Sequence, residues 1–261
     1  HKIVTGHDTS KFGFAPADAL DALERAGGHP HLQPSGLHVH LGSQIKDVGT
    51  YTAAADWLTA FTEEHGLGDL PVLDLGGGLG VAYAHGDIEL EIQQAVEAIV
   101  AHLSERLIAH GLPMPELIIE PGRSIVGPAG TTLYRVGAVK RTEGGVVYAA
   151  VDGGMSDNPR PALYGARYDA IVADRPDAEP DTVYTIAGKH CESGDVLIEG
   201  ISLPELHTGD LLAVPVTGAY AVSMASTYNA LPRPAAVLVS DGDAELVQRR
   251  ETVDDLLARD L

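Results

Sequence analysis

The 261-residue sequence has a single cysteine, Cys191, and is poor in basic residues. One cysteine excludes an internal disulfide and is typical of a reducing compartment, so we expect a cytoplasmic protein. The 17 lysines and arginines are outnumbered by 37 aspartates and glutamates and form no basic stripe. We therefore expect no nucleic-acid partner. An anionic ligand must be attracted by local arginines, against a formal net charge of −20.

Long apolar runs are also absent. The longest nearly uncharged stretch, Leu211 to Val222, contains Pro215 and Gly218 and is too short to cross a bilayer. Residues 1–6 do not resemble a signal peptide, and we expect no membrane partner. Residues 1–6 lack an initiator methionine and resemble an apolar strand, so we expect the chain to begin inside a longer polypeptide.

Residues 1–128 alternate short apolar strands with amphipathic helices. The pattern predicts helices at 16–26, 50–65 and 89–110 and strands at 37–41, 72–75 and 117–119. In the helix at 50–65, Ala54, Trp57, Leu58 and Phe61 are predicted to form the apolar face. The alternation indicates parallel strands joined by helical crossovers, and polar clusters follow the strand ends, as on the catalytic face of an α/β barrel.

Residues 129–261 have a different pattern and are predicted to form a β-rich second domain. Apolar strand-like segments recur between turn residues, whereas helical signal is weak until 253–261. The predicted strands are 132–139, 146–151, 183–186, 211–216 and 235–239.

Two clusters in the first domain are candidates for ligand binding. The loop with Gly76, Gly77 and Gly78 follows a strand, and either cradles a phosphate or makes a flexible connection. His38 and His40 are two residues apart on a strand and point to one face, but no third residue has zinc-like spacing. We therefore favour core or hydrogen-bonded histidines and predict no metal site. Ser43 is either an anion donor or an ordinary turn serine.

Further candidates lie at a strand end and in loops of the second domain. Taken alone, Glu120 and Arg123 are slightly better explained as a local ion pair than as a carboxylate and an oxyanion-binding guanidinium. Arg160, Tyr164 and Tyr168 form either a carboxylate clamp or a surface loop with arginine stacking. The default interpretation of Cys191 is an inert buried thiol. That of Tyr220 is a core side chain of the second domain.

Six segments in this order resemble the diaminopimelate decarboxylase family of fold-type III, pyridoxal-phosphate-dependent enzymes. They are GLHVHLGSQ at 36–44, DLGGGLG at 74–80, EPGR at 120–123, DGGMSDNPRPALYGARY at 152–168, GKHCESGD at 188–195 and GAYAVSMASTYN at 218–229. The resemblance covers nearly the whole chain. It implies the C-terminal part of an alanine-racemase-like (β/α)8 barrel at 1–128, followed by a β-sandwich or barrel-like domain at 129–261.

The resemblance also implies a role for each matching residue. His40 stacks on pyridoxal 5'-phosphate, Glu120 pairs with the pyridine nitrogen, and Cys191 acts near the reacting carbon. Glu192 binds the distal amino group, and together with Cys191 it enters the neighbouring subunit's site in a homodimer. The residues implied to bind the phosphate are Ser43, Gly76, Gly77, Gly78, Arg123 and Tyr220. Those implied to bind substrate carboxylate are Arg123, Arg160 and Tyr164. His38 has no implied role.

One family element is missing from this sequence. The five lysines are Lys2, Lys11, Lys46, Lys140 and Lys189, and none lies in the Ala-x-Lys-Ala-Asn-like context of the lysine that holds the cofactor. We therefore expect a C-terminal portion of the enzyme that is inactive alone.

The implied reaction is decarboxylation of meso-2,6-diaminopimelate to L-lysine and CO₂. The alternatives are a related ornithine, arginine or carboxynorspermidine decarboxylase, or a non-catalytic homologue that acts as a binding or regulatory partner. The Arg160 and Tyr164 loop argues against the diamine-forming enzymes, because their substrates lack a second carboxylate.

Overall fold

A computed structural model describes residues 10–261 of the chain. The predicted strand-like opening at 1–6 lies outside the described residues. The chain divides into two units, and each has its own core. The first unit contains the described residues up to Ala82 together with Gly86–Ile125, and the second contains Tyr83–His85 and Val126–Leu261.

Three parallel strands form the sheet of the first unit, in the order β1–β2–β3. The elements are α1 Pro16–Gly27, β1 Gly36–His38, α2 Val48–Glu64, β2 Val72–Gly77, α3 Ile92–Ala109, β3 Glu116–Glu120 and α4 Gly122–Val126. The strand register pairs His38 with Asp74 and Gly77 with Glu120. The C-terminal ends of all three strands therefore meet at one edge, as the alternation predicts.

Helices α2 and α3 pack on this sheet and make the core of the first unit. Helix α3 buries Ala95, Ile99, Leu103 and Leu107, which share one face at a spacing of four residues. Helix α2 begins at Val48 because the Asp47 side chain accepts a hydrogen bond from the Gly49 N–H at 3.1 Å and caps it.

One residue of the predicted apolar face of α2 is not buried. Trp57 is 50% exposed and lies at the margin of the apolar face, where its ring stacks on Phe61 with centroids 5.1 Å apart. Trp57 therefore lies beside the predicted face but, unlike Ala54, Leu58 and Phe61, is not part of the core. The face buried by α2 is narrower than its hydrophobic pattern suggests.

A six-stranded sheet organises the second unit, in the order β6–β9–β4–β5–β7–β8. Its strands are β4 Thr131–Arg141, β5 Val147–Val151, β6 Ile171–Val172, β7 Thr182–Ala187, β8 Val196–Leu203 and β9 Leu211–Pro215. All pairings are antiparallel except that of β5 with β7. The strands buried in this sheet confirm a β-rich second half.

The remaining elements of the second unit are a hairpin and short helices. They are α5 Arg160–Tyr164, α6 Ala221–Met224, a 3-10 turn at Tyr228–Ala230, β10 Ala236–Ser240, β11 Asp243–Gln248 and α7 Val253–Leu257. Among the helices of residues 10–261, none combines the length and apolarity needed to cross a bilayer.

Candidate functional site

Two loops at the C-terminal edge of the parallel sheet are joined by backbone hydrogen bonds. The Ile45 N–H donates to the Gly78 carbonyl at 2.8 Å. Gln44 adds a second connection, because its side-chain amide donates to the Val81 carbonyl at 2.9 Å and accepts from the Val81 N–H at 3.0 Å. These bonds hold the loop that carries Ser43 against the glycine loop.

The glycine loop is too closely packed to accept side chains. At each of Gly76, Gly77 and Gly78, an added Cβ would lie between 2.1 and 2.5 Å from a backbone oxygen. Gly76 and Gly78 also have positive φ angles of 68° and 88°, which disfavour other residues. The loop is therefore a fixed, bare backbone surface, not a flexible connection.

Part of the hydrogen-bonding capacity of this loop is used internally. The Gly76 N–H donates to the Asp74 carboxylate at 2.8 Å, and the Gly77 N–H donates to Nδ1 of His40 at 3.3 Å. The second bond makes Nδ1 an acceptor, so it orients the imidazole and leaves the ring hydrogen on Nε2. His40 is thus a hydrogen-bonded histidine, one of the two interpretations favoured from the sequence.

Helix α2 contributes a hydrogen bond to the glycine loop from Tyr51, a residue outside the sequence motifs. The buried Tyr51 hydroxyl donates to the Gly77 carbonyl at 3.0 Å. Burial raises the pKa of Tyr51 to about 12, so the phenol remains a donor at neutral pH. Tyr51 lies 26 residues before Gly77, and only its place on the apolar face of α2 marks it in the sequence.

Arg123 and Ser43 form the cationic part of this edge. The guanidinium of Arg123 donates to the Ser43 hydroxyl oxygen at 2.8 Å. A hydroxyl that accepts in this way can direct its own hydrogen toward a ligand. A guanidinium, a hydroxyl and a bare backbone loop together make a donor set suited to a phosphate.

Glu120 lies at the same edge, near one residue from each of the other two strands. Its Oε2 is 3.7 Å from Nε2 of His38, and ligand atoms of His38, Asp74 and Glu120 all lie within 4.8 Å of one another. The His38 side chain is 52% exposed, so its interpretation as a core histidine is wrong. Sequence spacing offered no third group beside the histidines, because these three residues come from three different strands.

In the second unit, Arg160 lies at the start of α5 and is 6% exposed. It donates to the Tyr168 hydroxyl, and its guanidinium carbon lies 4.6 Å from the ring centroid of Tyr83 and 5.6 Å from that of Tyr168. Tyr164 is one helical turn further on and 44% exposed. The arginine stacking expected from the surface-loop interpretation is therefore present, but Arg160 is buried and does not lie on the surface. No pattern in the sequence indicates that Tyr83 takes part in this contact.

Cys191 and Glu192 occupy the tip of a loop between β7 and β8, and both are exposed. The default interpretation of Cys191 as an inert buried thiol is wrong. Glu192 accepts a hydrogen bond from the hydroxyl of Tyr228, a residue whose role the sequence did not indicate. Tyr220 is 45% exposed with φ at 67°, so it is not the core residue of the default interpretation.

Comparisons with known proteins identify relatives of both units. A family profile described as "Pyridoxal-dependent decarboxylase, pyridoxal binding domain" matches residues 1–127. The diaminopimelate decarboxylase of Bacillus subtilis is 47% identical over 269 residues, which cover 99% of this chain and 60% of the relative. The chain thus spans about three fifths of the length of the curated relatives that it matches.

Solved structures show the same similarity. A diaminopimelate decarboxylase from M. jannaschii in co-complex with L-lysine has a TM-score of 0.91 at 34% identity, over 100% of this chain and 60% of that chain. A lysine/ornithine decarboxylase from Vibrio vulnificus complexed with putrescine has a TM-score of 0.71 at 30% identity, over 86% of this chain and 60% of that chain. These neighbours confirm the predicted fold class, part of an alanine-racemase-like barrel followed by a β domain.

Proposed function

Because the profile of the pyridoxal-dependent decarboxylase family matches residues 1–127 of this chain, we propose that the chain forms part of a carboxy-lyase. This enzyme would convert meso-2,6-diaminopimelate to L-lysine and CO₂, the last step of lysine biosynthesis. The observation that carries the proposal is the Arg123–Ser43 pair, held beside a bare glycine loop at the same sheet edge as Glu120. The similarity to diaminopimelate decarboxylases supports the choice of substrate.

The residues of the first unit fit pyridoxal 5'-phosphate, the cofactor of this family. The loop of Gly76, Gly77 and Gly78 is a fixed, bare backbone surface, and Arg123 and Ser43 add a charge and a hydroxyl donor beside it. His40 offers a ring face oriented by its bond from Gly77. When bound, the cofactor supplies an electron sink for the carbanion left by loss of CO₂.

Glu120 is proposed to hold a proton on the pyridine nitrogen. A carboxylate stabilises a protonated ring nitrogen by charge as well as by hydrogen bonding, which keeps the electron sink effective. Tyr220 is proposed to bind the phosphate through its exposed phenol.

Arg160 and Tyr164 are proposed to hold a substrate carboxylate, and Arg123 to share in that role. The buried Arg160 guanidinium is oriented by Tyr83 and Tyr168, which reduces the entropy lost on binding. A dicarboxylic substrate needs a second cationic clamp, whereas ornithine does not. This requirement favours diaminopimelate over the diamine-forming alternatives.

Cys191 and Glu192 are proposed to act in the partner subunit's site of a homodimer. Cys191 moves a proton at the reacting carbon, and Glu192 binds the distal ammonium of the substrate. Both side chains are exposed at a loop tip, as groups that serve a neighbouring subunit require. We further propose a cytoplasmic location, no nucleic-acid partner and a functional boundary between residues 128 and 129.

Product analysis of the completed enzyme tests this proposal. By completed enzyme we mean this chain joined to the segment of its Bacillus subtilis relative that it does not match. With pyridoxal phosphate, we expect lysine to form from diaminopimelate and little putrescine to form from ornithine. Preferential turnover of ornithine supports the related-decarboxylase alternative. Cofactor binding without turnover of either substrate supports a non-catalytic homologue.

A further inference from the structure

The loop that carries Cys191 and Glu192 is closed at its base by a buried hydrogen-bonded pair of side chains. The side chains of His190 and Asp195 are 0% and 1% exposed, and Nδ1 of His190 lies 2.8 Å from Asp195 Oδ2. The Asp195 carboxylate also accepts backbone N–H bonds from His190 at 2.8 Å and Met155 at 2.6 Å. A buried carboxylate with three such donors is satisfied, so this base is rigid.

Glycines show how closely this base is packed. A Cβ at Gly188 would lie 2.1 Å from Asp195 Oδ2, and a Cβ at Gly154 would lie 2.7 Å from the same carboxylate. The Nε2 of His190 is buried and has no hydrogen-bond partner among the described residues. The imidazole therefore offers an apolar face and a fixed ring plane, not a proton-transfer group open to solvent.

The ring of Tyr228 stacks against the face of the His190 imidazole. Its ring and the His190 imidazole are 11° from parallel, with centroids 5.9 Å apart. The Tyr228 hydroxyl reaches back to Glu192 at the loop tip and donates to Oε1. This bond is the largest cause that raises the pKa of the Tyr228 phenol above its ordinary value, so the phenol stays a donor at neutral pH.

We propose that Tyr228 is a positioning residue that orients the Glu192 carboxylate, and that the buried His190–Asp195 pair fixes its ring. Without such a bond, an exposed glutamate on a loop tip samples several rotamers. Restricting it to one rotamer on ligand binding costs conformational entropy and lowers the affinity. Tyr228 removes that freedom before the ligand arrives. The inference rests on the proposed function in that the ligand of Glu192 is the distal ammonium of the substrate.

The Tyr228→Phe variant of the completed enzyme tests the role kinetically. Phenylalanine keeps the ring on His190 and removes only the hydroxyl. We expect KM for diaminopimelate to rise about tenfold with kcat within about twofold, because an interaction that orders the binding group is lost. Tyr148→Phe, which removes a phenol from β5, is the matched control and should leave both constants unchanged. An unchanged KM for Tyr228→Phe, or an equal fall of kcat, overturns the proposal.

A second measurement is independent of turnover and of the substrate. Tyrosines carrying 13C at Cζ are titrated by NMR in the completed enzyme, and the Tyr228 signal is the one absent from Tyr228→Phe. We expect the pKa of Tyr228 to fall in Glu192→Gln. An identical titration in both proteins contradicts the hydrogen bond. If the parent makes no lysine but this titration shifts, the proposed function has failed and the positioning of Glu192 stands.

Discussion

Glu120 ends β3, with the His38 imidazole 3.7 Å from its carboxylate. In the completed enzyme we expect Glu120→Gln to keep most of its affinity for pyridoxal phosphate but to decarboxylate about 100-fold more slowly or worse, a loss of ~3 kcal/mol of transition-state stabilisation. An amide is isosteric, but it cannot offset the charge of a protonated pyridine nitrogen. Single-turnover kinetics at saturating cofactor measure the effect.

Glu116→Gln is the matched control, because Glu116 lies on the same strand and is also exposed. It should leave the rate unchanged. If Glu120→Gln turned over within a few-fold of the parent, the proposed pairing with the pyridine nitrogen would be wrong.

A substitution at Gly78 tests whether the packing of the glycine loop is needed to bind the phosphate. A Cβ there would lie 2.1 Å from the Gly42 carbonyl oxygen, so Gly78→Ala must push apart the two loops that carry Ser43 and the glycines. We expect the affinity of the completed enzyme for pyridoxal phosphate, measured by absorbance titration, to fall at least about tenfold. Gly86→Ala is the control, since Gly86 has a similar φ of +82° but nothing within 4 Å of an added Cβ. Equal affinities in the two variants would contradict the cradle.

At the scale of elements, the hydrophobic periodicity of α3 correctly predicts which face of the helix is buried. Leu103 is 0% exposed and packs in the core of the first unit, whereas Ile108 on the same helix is 78% exposed. In the completed enzyme, Leu103→Ala should lower the free energy of unfolding by about 2–5 kcal/mol, because it removes apolar contacts and leaves a cavity. Ile108→Ala should change it by less than about 0.5 kcal/mol.

Urea denaturation followed by circular dichroism measures both variants. Comparable midpoints would show that the interface of α2 and α3 contributes little to the unfolding transition.

Strand β8 shows where local pattern fails. Gly200 interrupts it with φ at +68°, and the exposed Glu199 precedes that glycine, so the sequence resembles a turn. The structure continues the strand through to Leu203 because β7 pairs with it on both sides of the irregularity. The sequence pattern does not predict strand β11 either, for a different reason. All its residues are exposed, so it has no alternation of buried and exposed positions.

At the scale of the whole molecule, the parallel sheet of the first unit has two open edges within residues 10–261. Strands β1 and β3 each pair only with β2 in this part of the chain. Unpaired edges favour association with other chains, so we expect the 261-residue chain by itself to form large species in light scattering. It also lacks a lysine in the family's cofactor-binding context, and we expect no lysine production from diaminopimelate. Robust product formation by the purified chain would contradict this expectation.

The proposed shared sites can be tested by mixing inactive subunits of the completed enzyme. Glu192→Ala and a variant without the cofactor-binding lysine carry lesions on opposite sides of a shared site. In a mixed two-fold dimer both lesions fall in one site, so up to about a quarter of all sites become active after random exchange. Activity is measured after exchange is verified by mass-tagged subunits. No recovery would exclude shared sites and the roles given to Cys191 and Glu192.

The sequence by itself determined the alternating elements of the first half, the β-rich second half and the ordered motifs. These features depend on residues near one another in the chain. Hydrophobic periodicity places α3, and polar residues directly after apolar runs place Ser43, Gly76 and Glu120 at strand ends. Such local information also sufficed to predict the similarity to diaminopimelate decarboxylases.

Only the tertiary structure decided which of these groups meet and how they are held. Ser43 and Arg123 are 80 residues apart, and Glu192 and Tyr228 are 36 apart. The burial of Arg160 between two tyrosines likewise depends on Tyr83, which lies far away in the sequence. The physical reason is that hydrogen bonds and ring contacts act over a few ångströms in space, whatever the separation along the chain. Periodicity reports which face of an element is buried, but not which side chain it will meet there.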